Sequence, residues 1–132
     1  MKNKKRNILV IQFGLFLILF LTVTFFHSSF SYGQDKITAT CSVQKTSESD
    51  GYVYYTYSVT YSPVYNDNKT YIVKGTFIFL NGDIVLKRHE NCNGLVIGNS
   101  IGSDSFSKQG KMTKENWDIA SSYYVDFSYT VK

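Results

Sequence analysis

Residues 51–61 read Gly-Tyr-Val-Tyr-Tyr-Thr-Tyr-Ser-Val-Thr-Tyr, and they leave the chain few ways to fold. Val53, Tyr55, Tyr57, Val59 and Tyr61 alternate with Tyr52, Tyr54, Thr56, Ser58 and Thr60. One set is bulky and apolar, and the other is polar with two tyrosines at one end. A period of two with aromatic and β-branched residues predicts a strand with one face in a core and one in water.

The same alternation recurs along the chain. Ile37, Ala39, Cys41 and Val43 predict a first strand, and Tyr71, Val73, Phe77 and Phe79 a third. Tyr123, Val125, Phe127, Tyr129 and Val131 predict the last. Gln44 to Asp50 reads as a polar turn, and Asn81-Gly82 as a type I′ hairpin turn. Leu95 to Ile97 reads as a short buried strand. Asn99 to Asp118 is rich in Ser, Gly and Lys, with room for one strand near 105–107. Helical periodicity is absent after residue 33. These features predict an all-β fold: one small antiparallel β-sandwich, immunoglobulin-like in its arrangement.

The N-terminus has a different character. Lys2, Lys4, Lys5 and Arg6 precede an uncharged run from Ile8 to Phe26, and Ser31 and Gly33 form a small-x-small site. Residues 1–33 therefore read as a signal peptide, with residues 34–132 as the exported domain. The run is also long enough to cross a bilayer, so an uncleaved anchor is the alternative, and the one route to a membrane. The chain has 14 basic and 10 acidic residues. The four basic residues of the leader leave the domain with equal numbers of each sign, which removes the electrostatic case for nucleic acid.

An exported domain of this size profits from a covalent staple. Cys41 and Cys92 are its only cysteines, and a disulfide between them is expected. Closing a loop of about 50 residues would contribute about 4 kcal/mol. Two cysteines and one histidine, His89, cannot furnish a structural zinc site, and no cofactor motif is visible. His89 reads as a solvated residue at a strand end. No nucleophile elbow or marked carboxylate pair is present, so no catalytic residue is assigned. Asn68-Lys69-Thr70 is a sequon, which makes Asn68 a glycosylation candidate.

Aromatic residues carry the functional signal. Tyrosine outnumbers phenylalanine in the domain, so many rings keep a hydroxyl within reach of water or a partner. Sugars present C–H faces and hydroxyls, which suit Tyr and Trp beside Ser, Thr and Asn. Tyr52, Tyr54 and Tyr124 either cover neighbouring strands or offer binding rings. Trp117 either plugs one end of the sandwich or serves as a stacking platform.

The order of several short motifs resembles the carbohydrate-binding module that ends some plant family-nine endoglucanases and recurs in secreted slime-mould proteins. Its Gly-x-x-Tyr-x-x-Tyr-Ser-Val is similar to Gly51, Tyr54, Tyr57, Ser58 and Val59. Its Gly-Leu and Gly-Asn-Ser are similar to Gly94-Leu95 and Gly98-Asn99-Ser100, and its closing strand to Ser121–Tyr129. Ser47 and Asn93 stand where that family carries tryptophan. The resemblance implies a secreted, non-catalytic domain that binds a polysaccharide such as cellulose. An extracellular protein is the other partner class, met by a face or an edge strand.

Overall fold

The computed structural model describes residues 30–34, 36–99 and 102–132. Strands β1 (Phe30–Gly33), β2 (Ile37–Ser49), β3 (Tyr52–Pro63) and β4 (Thr70–Asn81) are followed by β5 (Ile84–His89), β6 (Gly94–Ile97) and β7 (Asp104–Thr113). A short helix α1 (Lys114–Ile119) precedes the last strand, β8 (Ser122–Val131). All pairings are antiparallel. The first sheet has the order β1-β2-β3-β7. In the second, β4 pairs with β8 along one edge and with β5 and β6 along the other. Residues 1–29 of the expected leader lie outside the described residues, and its last four form β1 against Thr38–Cys41.

The alternation in residues 51–61 sets the first sheet. Val53, Tyr55, Tyr57, Val59 and Tyr61 are all buried, and the alternate set is more exposed. Ile37, Ala39, Cys41 and Val43 face the same core, as do Tyr71, Val73, Phe77, Phe79, Tyr123, Val125 and Phe127 from the second sheet. Two apolar faces meet and exclude water, which is the main favourable contribution to such a fold.

Four local expectations are corrected. Gln44 to Ser49 is not a turn. It continues β2 to a tight turn at Asp50-Gly51, where both residues have positive φ. A register shift between Lys45 and Ser47 accommodates one extra residue. At the β4–β5 hairpin, positive φ falls on Gly82 and not on Asn81, so Gly82-Asp83 are the central pair. In β6 only Val96 is buried, because Leu95 and Ile97 point outward. The strand expected near 105–107 is present but runs through Asp104–Thr113, and an unexpected helix follows it, too short to show a period. Thr113 caps that helix, its hydroxyl accepting from the Asn116 N–H at 3.3 Å.

The expected staple is also corrected: Cys41 and Cys92 are both buried and both free. Cys41 is directed at the backbone of Val125 in β8. Cys92 lies on the other side of β4, its Sγ 3.2 Å from the His89 carbonyl oxygen. Both thiols belong to one core cluster, on either side of Tyr61, and they are not bonded to each other.

Candidate functional site

The outward side chains of the first sheet form ordered rows. Thr40, Thr60 and Ser105 stand abreast on β2, β3 and β7, and Ser42, Ser58 and Ser107 form the next row. Gln44, Thr56 and Gln109 follow. Hydroxyls pair across the strands: Ser58 with Ser107 at 2.6 Å, Thr60 with Ser105 at 2.8 Å, and Ser62 with Ser103 at 2.9 Å. Short side chains of similar length make a level surface, spaced about 4.8 Å across strands and about 7 Å along them. None of these residues is charged.

Tyr54 and Tyr52 continue the β3 row at the hairpin end. Tyr52 is 39% exposed and Tyr54 half-buried. Lys111 lies opposite Tyr54 and holds its ammonium 5.0 Å from the centre of the Tyr52 ring. This is a cation–π contact at an exposed site, worth about 0.5–1 kcal/mol. The face therefore combines two aromatic rings with a bed of hydroxyls and amides, groups that both donate to and accept from sugar hydroxyls.

The other two ring candidates lie elsewhere. Tyr124 is on the outward face of the second sheet, opposite Ile78. Trp117 is on α1 and not in a loop, half-buried, and stacked on Tyr55 with centroids 5.4 Å apart. It also meets Phe79, so its ring closes one end of the core. Asn68 is exposed, in a left-handed conformation, in the loop before β4. The structure brings Tyr52 and Tyr54 together and separates Tyr124 and Trp117 from them.

Behind this face, tyrosine hydroxyls tie the sheets together. The Tyr55 hydroxyl is 2.7 Å from Nε2 of His89, and the Tyr61 hydroxyl donates to the Cys92 carbonyl at 2.5 Å. The Tyr57 hydroxyl faces the Cys92 thiol, which adds to the rise in its pKa. Three residues of β3 thus hold residues 89–92, where the second sheet passes from β5 to β6. His89 is stacked on Tyr57 at 4.5 Å and is no solvated end residue. Its pKa is lowered, first by burial and then by Lys87 and Lys108. Burial also raises Tyr55 and Tyr61, and brings Tyr57 to about 12. These rings are therefore neutral structural ties with no acid–base character near neutral pH.

Among the described residues no group of three His, Cys, Asp or Glu side chains could hold a metal ion. Asp67, the carboxylate of the loop before β4, accepts from the Tyr71 hydroxyl and from the Lys69 N–H. No protein-family profile matches this sequence, and no curated protein matches it either.

Proposed function

We propose that this chain is a secreted, non-catalytic carbohydrate-binding domain that takes an extended β-glucan such as cellulose across the outer face of the first sheet. The observation that carries the reading is the alignment of Tyr52 and Tyr54 with the uncharged rows of β2, β3 and β7. An extended polysaccharide repeats hydroxyls and flat C–H faces along one direction, and so does this surface in complement. Two rings about 7 Å apart touch adjacent parts of one chain.

The resemblance to the endoglucanase-associated module agrees with this placement. Ser47 stands where that family has tryptophan, and Tyr54 lies directly across from Ser47 in the register. An aromatic ring is thus present in the same neighbourhood, supplied by the adjacent strand. The leader-like N-terminus, with its basic start and apolar run, supports the reading of an exported domain.

The test is retention on insoluble cellulose, xylan and chitin against casein-coated beads. Retention on a glucan, weakened by Tyr54→Ala, supports the reading. Retention only on the protein-coated beads would replace it with the protein-interaction reading.

A further inference from the structure

We propose a second binding site, for a single sugar residue or another small polyhydroxylated ligand, in the cleft on the outer face of the second sheet. The cleft follows from an interruption of pairing. β5 leaves β4 at His89, and β6 resumes at Gly94. Between them residues 90–93 bow away from β4, held by a bond from the Cys92 N–H to the Gly75 carbonyl at 2.9 Å. The bow and β8 form the two banks of an open cleft of about 540 Å³. That volume lies within the range of small-molecule sites, about 300–1,000 Å³.

The lining side chains are mostly polar. Glu90, Asn91 and Asn93 come from the bow, Thr76 from β4, and Asp126 and Ser128 from β8. Two of these groups are already oriented. The Thr76 hydroxyl donates to Glu90 at 2.7 Å, and the Gly75 N–H donates to the Asn93 side-chain oxygen at 3.3 Å. Asn91 holds a positive φ of 60°, which turns the chain between Glu90 and the contacts that Cys92 and Asn93 make with Gly75.

The chemistry selects the ligand class. Carboxylates and amide oxygens accept from hydroxyls, while amide N–H groups and hydroxyls donate to ring and hydroxyl oxygens. Lys74 is the one cation in the lining against two carboxylates, so a phosphate or carboxylate ligand would meet net repulsion. A purely apolar ligand would strand every polar group in the cleft. Tyr124 stands two residues before Asp126 on the same face of β8, about 7 Å along the strand, where its ring can flank a pyranose. This site is independent of the face of the first sheet, and neither proposal requires the other.

The experiment is an amide-resolved NMR titration of the domain with glucose, xylose, N-acetylglucosamine and cellobiose. At least one sugar should shift Thr76, Glu90–Asn93 and Asp126–Ser128 together in a saturable way. Asp126→Ala and Glu90→Ala are exposed substitutions, and each should weaken that titration about tenfold. Tyr54→Ala should leave it unchanged while reducing retention on insoluble glucan. Absence of saturable shifts at these residues with all four sugars would overturn the proposal, as would shifts that Asp126→Ala and Glu90→Ala leave intact.

Discussion

The Tyr55 hydroxyl and Nε2 of His89 lie 2.7 Å apart, joining interior strand β3 of one sheet to edge strand β5 of the other. Gly110 makes the approach feasible. A Cβ there would come within 2.6 Å of the Tyr55 ring and 2.9 Å of the His89 ring. Removing the imidazole leaves the buried Tyr55 hydroxyl without its partner. His89→Ala should therefore lower unfolding stability by about 1–3 kcal/mol, and Tyr55→Phe by less. Urea denaturation of the two variants checks the order.

The same pair gives the domain a pH response. The folded pKa of His89 is depressed, and the unfolded value is about 6.5. Between the two, the unfolded chain binds more protons, so stability rises with pH. The contribution is complete above about pH 6.5 and is lost as the pH falls toward the folded value. Melting temperatures of wild type should fall between pH 7.5 and 5 more steeply than those of His89→Gln. Equal slopes would assign the acid sensitivity to other groups.

The inward position of His89 shows what the sequence can and cannot carry. Alternation alone identified the buried faces of β2, β3 and β4, and that of β8 as far as Tyr129, because each has a period of two over five or more residues. Val131, expected inward, is exposed where the strand runs past the core. In β5 the register changes within the strand: Leu80 pairs with Val85, but Phe79 pairs with Lys87. Leu86 is the extra residue, and it reverses the face of everything after it. Without that bulge His89 would point outward, and nothing local in Val-Leu-Lys-Arg-His announces it. The helix was hidden for a different reason, since six residues are too few for an apolar period. Tyr52 and Tyr54 were legible because they sit at the end of the cleanest alternation. The hydroxyl rows needed the full length and pairing of β7, of which only the stretch near 105–107 is legible.

The thiols make a simple prediction. Burial holds the Cys41 thiol up at about 11 and raises Cys92 as well. Thiolate is the reactive form, so native protein at pH 8 should resist alkylation. Unfolded under non-reducing conditions, it should take up two equivalents of iodoacetamide. A protein that takes up none until reduced carries a disulfide instead.

Gly75 is a tighter constraint than either cysteine. A Cβ there would overlap the Tyr61 hydroxyl and lie 2.8 Å from the Cys92 carbonyl oxygen. Gly75→Ala should destabilise by about 1–3 kcal/mol or more, the cost of overpacking a filled core. Removing the hydroxyl relieves the first clash and leaves the second. Gly75→Ala with Tyr61→Phe should therefore be less destabilised than the sum of the single variants. Strict additivity in a double-mutant cycle would contradict the contact.

The proposed glycan face predicts a separation of stability from binding. Trp117 packs on Tyr55 and Phe79, so Trp117→Ala should cost about 2–3 kcal/mol, below the range of about 3–5 for a fully buried ring, with retention on glucan unchanged under native conditions. Tyr54 is half-buried on the outer face, and Tyr54→Ala should weaken retention by about 1 kcal/mol, the scale of one aromatic contact. Thr60 lies mid-face, its hydroxyl bonded to Ser105. Thr60→Lys would raise a long charged side chain from the level surface and should weaken retention further, with a modest effect on stability. Lys111 is the charge beside the two rings, but the hydroxyl and amide rows are uncharged and a glucan is neutral, so salt should change wild-type retention little. Retention that falls with Trp117→Ala and ignores Thr60→Lys would move the glycan site off this face and to the end of the sandwich.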